Sequence, residues 1–287
     1  MIPPAFDYVA PRSIGEAISL LSSLGEDAKL LAGGHSLLPM MKLRFAQPGT
    51  LIDINRIPEL RGIREEGGLI RIGAMTTETE LIESRLLQDR LPLLPEAAKL
   101  IADPQVRNRG TIGGDIAHGD PGNDHPAIAM ALDATFVLQG PNGERQVKAV
   151  DFFHGTYMTA LAENEILTAI LMAPFESGTG YCYQKLKRKT GDWATAGAAV
   201  VLRLRGGVVT HARIGLTNVA STALRVSDAE AALTGQAITS ATLDAAVKAV
   251  REACDPAEDL RGDAEYKTAM AGEMARRAIQ AAAARCH

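Results

Sequence analysis

The sequence has 287 residues, which is enough for a large hydrophobic core and for two or three domains. A net charge of −4 and only 4% aromatic residues argue against a nucleic-acid-binding surface, which would need positive charge and stacking side chains. Because no apolar stretch approaches the ~20 residues that span a bilayer, and the first residues lack a signal-peptide pattern, we expect a cytoplasmic protein without a transmembrane segment.

The first 56 residues carry the pattern of a β-α-β unit, with short strands predicted at 6–9, 29–31 and 50–54. Ser13 and Glu16 have the spacing of a capping box and predict the start of the helix, which we expect to end at Gly25. The second strand leads directly into a glycine-rich segment, Ala32–Ser36, and we expect no helix directly after it. Its glycines do not spell G-x-G-x-x-G, so a dinucleotide bound here would not be held in the Rossmann manner.

Residues 57–177 change pattern and predict a second unit of strands and short helices. Strands are expected at 69–73, 135–138, 145–150 and 166–172, the middle two joined by a hairpin at Asn142-Gly143. Short helices are expected after Thr77, at 94–102 with an end at Asp103-Pro104, and at 127–132 with Asp124 in the N-cap position.

The last part of the chain predicts an antiparallel sheet covered by alanine-rich helices. We interpret Gly178-Thr-Gly180 as a linker, followed by strands at 181–186, 196–204 and 208–216 and helices at 229–233, 243–254 and 264–285. The whole chain is therefore predicted to be α+β. We expect a first domain at 1–177, with subdomains at about 1–56 and 57–177, and a C-terminal domain at 178–287.

A second glycine-rich segment, Arg107–His125, combines Gly110, Gly113 and Gly114 with Thr111 and two carboxylates, and shows no clean helical or strand period. Successive N–H groups in glycine-rich turns form concavities that suit phosphate. One such segment is weak evidence. Two of them, each with a hydroxyl at Ser36 or Thr111, suggest a diphosphate held from both sides.

Several polar residues leave two interpretations open. Asp115 and Asp124 could bind a ribose or adenine edge, or cap local N–H groups. The basic run from Lys185 to Lys189 suits a solvated face, unless one lysine faces an anionic ligand. Trp193 could pack in the fold or stack on a flavin, and His35 could contact a ligand or cap a turn.

Metal and thiol chemistry have little support in the sequence. His118, Asp120, Asp124 and His125 do not have a recognised zinc-ligand spacing, so we expect no metal site on this chain. Cys182, Cys254 and Cys286 lack any C-x-x-C spacing, which fits reduced thiols. They are also too few for an iron–sulfur cluster, which usually needs four thiolates.

Two stretches, AGGHSLLPMMKLR at 32–44 and RNRGTIGGDIAHGDPGNDHPAIAMALDA at 107–134, resemble the FAD-binding subunits of molybdenum hydroxylases. The likeness covers essentially the whole chain. It implies a vanillyl-alcohol-oxidase (PCMH-type) FAD-binding fold, with two α+β subdomains that hold the flavin nucleotide between them. A C-terminal α+β domain with an antiparallel sheet and helices completes the implied fold.

The resemblance also implies which residues bind the cofactor. The segments Lys29–Ser36 and Thr111–Asp115 are implied to hold the pyrophosphate and ribitol, Asp124 the adenosine end, and Leu167 and Lys185 the isoalloxazine ring. Many relatives have asparagine where this chain has Asp115. With Trp193, the predicted cofactor-binding residues are Lys29, Leu30, Leu31, Ala32, Gly33, Gly34, His35, Ser36, Thr111, Ile112, Gly113, Gly114, Asp115, Asp124, Leu167, Lys185 and Trp193.

The chemistry implied by the resemblance is electron transfer, so no acid–base catalytic residue is expected on this chain. Electrons would come from [2Fe-2S] clusters on a small partner subunit and a molybdenum-pterin cofactor on a large one, and would leave through FAD to a quinone or another acceptor. The assembly implied is a dimer of heterotrimers, cytoplasmic or peripheral to the inner face of the cytoplasmic membrane.

Within this family the likeness favours members that oxidise carbon monoxide over those that hydroxylate nicotine, purines, aldehydes or aromatic compounds. Two alternatives come from other classes. One is a stand-alone FAD-dependent reductase of the same fold, which would need a proton donor above the flavin. The other is a metal-dependent enzyme built on the cluster from His118 to His125.

Overall fold

A computed structural model describes residues 2–286. The N-terminal part is a parallel three-stranded sheet in the order β1-β3-β2, as the β-α-β pattern predicts. Ala17, Ile18 and Leu21 place one face of the first helix in the core beneath the sheet. The elements are β1 (Asp7–Val9), α1 (Ile14–Leu24), β2 (Ala28–Leu31), α2 (Leu37–Leu43) and β3 (Thr50–Asp53).

The helix α2 corrects the prediction that no helix follows the first glycine segment. It begins at Leu37, directly after Ser36. Its seven residues are too few to show a clear helical period of apolar residues, and Pro39 is a residue that normally argues against a helix. Proline is tolerated here because an N–H in the first helical turn has no intrahelical acceptor in any case.

The middle part of the chain is a five-stranded antiparallel sheet in the order β4-β5-β10-β6-β7, with six short helices and a small two-stranded ribbon, β8-β9. Its elements are β4 (Ile63–Glu66), β5 (Leu69–Gly73), α3 (Glu78–Glu83), α4 (Arg85–Arg90), α5 (Leu93–Ala98), α6 (Pro104–Arg107), α7 (Ile112–His118), α8 (Asp124–Ala131), β6 (Thr135–Gly140), β7 (Gly143–Lys148), β8 (Phe153–Gly155), β9 (Met158–Thr159) and β10 (Ile166–Met172). The predicted capping box at Thr77 and the hairpin at Asn142-Gly143 are both confirmed.

Two helix boundaries in this part were predicted wrongly. Asp103-Pro104 begins α6 and does not close the preceding helix, because the Asp103 side chain accepts a hydrogen bond from Val106 N at 3.0 Å. The second glycine segment, expected to lack helical structure, contains α7. Glycines in this helix remove the apolar positions from which a period would be recognised.

The C-terminal part is a four-stranded antiparallel sheet in the order β11-β12-β13-β14, with α9 and α11 packed on its strands and α10 packed on these two helices. Its elements are β11 (Thr179–Leu186), β12 (Ala196–Arg205), β13 (Val208–Thr217), β14 (Leu224–Arg225), α9 (Ser227–Leu233), α10 (Ser240–Ala253) and α11 (Ala264–Ala283). The interpretation of Gly178-Thr-Gly180 as a linker was wrong for its second half. Gly180 lies inside β11, where a Cβ atom would come within 1.9 Å of the Ala282 carbonyl oxygen of α11.

The central strand β12 is buried on both faces and joins two cores. Ala196, Ala198, Val200 and Leu202 face the helices of the C-terminal part, while Ala199 and Val201 contribute to the core of the middle part. On the next strand, Gly215 lets the backbone of α8 approach, because a Cβ there would lie 2.1 Å from the Ala127 carbonyl oxygen. The α8 helix, which follows the second glycine segment, is thereby fixed against the C-terminal sheet.

The α+β fold class predicted from the sequence is confirmed. Within residues 2–286, no helix combines the length and apolar character needed to cross a membrane.

Candidate functional site

The first glycine segment, Ala32–Ser36, connects the end of β2 to α2 and offers free hydrogen-bond donors. Among residues 2–286, none of the N–H groups of Gly33, Gly34, His35 and Ser36 donates to a protein acceptor. Gly34 has φ of +77°, which turns the chain so that these N–H groups follow one another in a tight bend. The Ser36 side chain makes no capping hydrogen bond to α2. This is the donor arrangement of an anion-binding concavity.

The second glycine segment is organised by Thr111, the N-cap residue of α7. Thr111 is buried, and its Oγ1 accepts a hydrogen bond from Gly114 N at 3.2 Å, which leaves the hydroxyl proton available to another acceptor. Gly113 packs directly on the loop between β5 and α3, because a Cβ atom on Gly113 would lie 2.4 Å from the Cβ of Ala74. Glycine is therefore required at Gly113 by packing.

The two glycine segments touch each other. A Cβ on Gly33 would lie 2.4 Å from the Arg109 carbonyl oxygen and 2.9 Å from Gly110 Cα. A Cβ on Gly114 would lie 3.6 Å from the Cβ of Ala32. Asn55 supports the first segment from below, donating from Nδ2 to the Ala32 carbonyl oxygen at 2.9 Å. The structure thus brings together the two segments that the sequence paired as a diphosphate site.

Asp124 lies inside the fold and is not the N-cap residue that the sequence predicted. The N-cap residue of α8 is Asn123, and Asp124 is the first residue of the helix, 4% exposed. Lys185 Nζ lies 2.6 Å from Asp124 Oδ2, and the hydroxyl of Tyr183 donates to Oδ1. Burial and then the Asp124 carboxylate raise the pKa of Tyr183 well above its usual value. Within residues 2–286, Asp124 and Lys185 therefore contact each other. A contact of either residue with the cofactor is still a prediction.

Lys185 also corrects the interpretation of the basic run as a solvated face. Its side chain is 2% exposed. Lys187 Nζ donates to the Leu100 carbonyl oxygen at 2.9 Å, and only Arg188 and Lys189 are exposed. The strand ends at Leu186, so Lys187 and Lys189 do not continue its face.

A second buried ion pair joins α3 to α8. His125 Nε2 lies 2.8 and 3.0 Å from the two carboxylate oxygens of Glu78, and both residues are at most 2% exposed. Burial lowers the pKa of His125, but the neighbouring Glu78 carboxylate outweighs it and raises the value to about 9. The backbone N–H of His125 donates to Asp115 Oδ2 at 3.3 Å.

Two buried side-chain atoms, Thr76 Oγ1 and His125 Nδ1, have no hydrogen-bond partner within residues 2–286. Thr76 borders the second glycine segment, since Ile112 N donates to its carbonyl oxygen, and His125 is the last residue of that segment and donates from its N–H to Asp115. Buried polar atoms are usually satisfied, so unpaired atoms at this place are consistent with an additional polar group that the protein binds.

The remaining predicted residues lie on several elements. Trp193 is half exposed, with Nε1 3.4 Å from Asn123 Oδ1 and the Arg261 guanidinium 5.6 Å above its ring. Leu167 is buried on β10. Lys29 and His35 are exposed.

The cluster from His118 to His125 does not converge on one point. His118 Nε2 is 4.0 Å from Asp120 Oδ2, whereas His125 is turned to Glu78. Over the described range 2–286, no group of three or more histidine, cysteine or acidic side chains is placed to hold a metal ion.

Sequence reasoning missed Glu78, the partner of His125, and Tyr183, whose hydroxyl donates a hydrogen bond to Asp124. Tyr183 had a usable signal, since it stands two residues before Lys185 on a predicted strand and therefore on the same face. Glu78 had none, because a glutamate in the first turn of a capped helix is normally a solvent-exposed residue.

The donors present fit FAD. The unpaired N–H groups of the first segment and the hydroxyls of Ser36 and Thr111 suit its diphosphate. The two glycine segments are in contact at Gly33, where a side chain would not fit. A dinucleotide therefore agrees with the geometry better than a metal ion does.

Comparison with known proteins gives a consistent result. Residues 4–173 match the family described as the FAD binding domain in molybdopterin dehydrogenase, and residues 181–282 match the CO dehydrogenase flavoprotein C-terminal domain. The carbon monoxide dehydrogenase medium chain of Hydrogenophaga pseudoflava is 68% identical over 286 residues and covers 100% of both chains. That of Afipia carboxidovorans is 53% identical, with 99% of each chain covered.

A solved structure gives the same likeness in three dimensions. It is carbon monoxide dehydrogenase from Hydrogenophaga pseudoflava which lacks the Mo-pyranopterin moiety of the molybdenum cofactor. A chain of it aligns with a TM-score of 0.99 and 69% identity, covering 100% of both chains.

Proposed function

Because this chain belongs to the family of FAD-binding medium subunits of molybdenum hydroxylases, we propose that it is the flavoprotein subunit of an aerobic carbon monoxide dehydrogenase. The full-length identity of 68% to a carbon monoxide dehydrogenase medium chain is the observation that carries the choice of substrate. The reaction is CO + H2O → CO2 + 2 H⁺ + 2 e⁻, and it takes place on a partner chain.

FAD, when bound, supplies a group that accepts and releases electrons one or two at a time. The residues of this chain bind and orient it. Gly33–Ser36 present backbone N–H groups to the diphosphate, and the hydroxyls of Ser36 and Thr111 donate from the two sides. Asn55 and the Thr111–Gly114 hydrogen bond hold the segments in shape before the cofactor arrives.

The cofactor-binding residues proposed are those predicted from the sequence. The contact between the two glycine segments supports the assignment of Lys29–Ser36 and Thr111–Asp115 to one ligand. Asp124 and Lys185 are proposed to act as a pair that borders the site, and Leu167 and Trp193 to border the isoalloxazine ring.

A medium chain implies a small and a large partner subunit. We assign the [2Fe-2S] clusters to the small one and the molybdenum-pterin cofactor to the large one. The complex is proposed to be a dimer of heterotrimers in the cytoplasm, at the inner face of the membrane, with a quinone as acceptor. The scattered thiols Cys182, Cys254 and Cys286 support this division, because none of them has a second cysteine as a neighbour in the sequence pattern of a cluster site.

The division into domains at 1–177 and 178–287 is part of the same proposal. It is supported by the change from the five-stranded to the four-stranded sheet between β10 and β11.

The test is to purify the complex through a tag on this chain, from a host that carries the partner genes, and to measure flavin, iron and molybdenum per chain. We expect one FAD per copy of this chain, iron and molybdenum on separate co-purifying chains, and reduction of the flavin on addition of carbon monoxide. FAD without partner chains would favour the stand-alone reductase. Flavin that carbon monoxide leaves oxidised, in a complex with its metals, would contradict the substrate.

A further inference from the structure

Three carboxylates gather where α3, α7 and α8 meet, and two of them have a cationic partner. Glu78 is paired with His125 at 2.8 Å, and Asp124 is paired with Lys185 at 2.6 Å. All four side chains are nearly inaccessible to solvent. Each of these two carboxylates therefore has a basic side chain in contact with it.

Asp115, the third carboxylate, has no cationic side chain in contact with it among residues 2–286. Its Oδ2 accepts a single hydrogen bond of 3.3 Å, from the backbone N–H of His125, and no protein group donates to Oδ1. The titratable groups that face it are Glu78 from α3, Asp124 and His125 from α8, and Tyr183 from β11. The strands β9 and β10, which pack on α7, contribute no titratable side chain.

Asp115 also lies next to the junction of the two glycine segments. It follows Gly114, the residue whose added Cβ would lie 3.6 Å from the Cβ of Ala32. In the proposed function this junction receives the diphosphate of FAD. A carboxylate at this place would repel the diphosphate, with no cation of its own to offset the repulsion.

We propose that the Asp115 side chain is a neutral carboxylic acid when FAD is bound. Binding then takes up one proton from water, and the affinity for FAD falls as the pH rises. The inference rests on the proposed function and deepens it. The proton is held on Oδ1, the oxygen without a protein donor, and the neutral carboxyl donates a hydrogen bond to an oxygen of the nucleotide.

The electrostatics of the free protein agree with this arrangement. Burial raises the pKa of Asp115 to about 7; His125 opposes the rise, while Glu78 and Asp124 add to it. A bound diphosphate adds further negative charge and raises the pKa again. Above pH 7 the free protein must therefore gain a proton in order to bind FAD, and linkage makes the dissociation constant rise by up to about tenfold per pH unit.

The experiment uses the assembled complex after removal of FAD. Its dissociation constant for added FAD is measured from the quenching of flavin fluorescence at pH values from 6.0 to 8.5, as a range of about two and a half units around the pKa. Wild type and a control, Asp89→Asn on the exposed face of α4, should lose affinity between pH 7 and 8.5 by about tenfold or more. Asp115→Asn, which cannot ionise, should bind with nearly constant affinity and should be the tighter binder at pH 8.5.

Two results would overturn the inference: an affinity of the wild type that does not change with pH, or an equal pH dependence in Asp115→Asn. A complex that binds no FAD at any pH would instead refute the proposed function. A second readout is the infrared carbonyl band of a protonated carboxyl on FAD binding. It should shift when aspartate is labelled with ¹³C and be absent from Asp115→Asn, and a wild-type spectrum without it would also overturn the inference.

Discussion

Ser36 and Thr111 are the hydroxyl residues that we assign to the diphosphate, one in each glycine segment. Replacing both by alanine should weaken FAD binding, because a hydrogen bond to a charged group is worth about 1.5–3 kcal/mol. The measurement is the flavin content of the purified complex and the dissociation constant for added FAD.

The control for this double variant is Ser23→Ala, whose hydroxyl lies on exposed α1 and donates only to the Leu20 carbonyl oxygen. Thr111→Ser separates the hydroxyl from the methyl group and should retain the N-cap of α7. Full flavin content in the Ser36→Ala/Thr111→Ala complex would remove the assignment of both hydroxyls.

The Asp124–Lys185 pair predicts an effect on stability. Lys185→Met leaves Asp124 buried without its cation, and such a change costs about 3–5 kcal/mol. Urea unfolding should therefore show a lower midpoint, whereas Lys189→Met, at an exposed position just beyond the strand, should unfold like the wild type. A Lys185→Met chain as stable as the Lys189→Met control would show that the pair does not stabilise the fold.

At the scale of single residues, the sequence was most informative where chemistry depends on local pattern. Two glycine segments with hydroxyls could be paired as one site because the backbone donors and the hydroxyl belong to the same few residues. Partners that come from distant elements could not be predicted: Glu78 lies 47 residues before His125 in the chain. The burial of Lys185 was missed for the same reason: its partner is 61 residues away in the chain.

Between the elements α3 and α8, the Glu78–His125 pair makes stability depend on pH. The pKa of His125 is raised from 6.5 to about 9 in the folded protein. The pair therefore stabilises the fold fully below pH 6.5, and its contribution is lost as the pH rises through about 9. We expect the free energy of unfolding to fall by on the order of 1–3 kcal/mol across this window.

The comparison that isolates this effect is between wild type, His125→Gln and the exposed control His154→Gln, unfolded in urea between pH 7.5 and 9.5. The raised pKa of Asp115 makes the free energy of unfolding depend on pH in a lower range, between pH 3.8 and about 7. It adds no pH dependence above pH 7.5. Wild type and His154→Gln should lose stability with rising pH, and His125→Gln should lose less. Parallel curves for all three proteins would contradict the charged state of His125.

Elements were predictable where the period is long or the turn chemistry explicit. The strands β12 and β13, with glycines at the turn between them, and the hairpin at Asn142-Gly143 follow from pattern alone. The helices α2 and α7 were missed because each has seven residues and contains proline or glycine. Gly180 was interpreted as part of a linker because its role, the close approach of α11, is a contact made 102 residues later in the sequence.

At the scale of the whole molecule, the two glycine segments of the proposed ligand site come from different parts of the chain. The first glycine segment extends from the parallel sheet, the second from the middle part, and α8 fixes the second segment against the C-terminal sheet. The strand order within each sheet could be expected only from the family likeness, because pairing between strands that are distant in the sequence leaves no local pattern. Glycine is needed at Gly33 because the backbones of two parts of the chain meet there.

The measurement that tests the central claim most directly is the FAD content of the complex when that meeting point is disturbed. Gly33→Ala places a methyl group 2.4 Å from the Arg109 carbonyl oxygen, so the two segments must separate. Gly15→Ala, on α1 with open space around it, is the matched control. A cost of about 1–3 kcal/mol for overpacking corresponds to a loss of about 5- to 150-fold in affinity. We predict that Gly33→Ala assembles with its partners but loses most of its FAD, while Gly15→Ala retains one FAD per chain. A Gly33→Ala complex with full flavin content and unchanged affinity would contradict the account that the two glycine segments hold the cofactor between them.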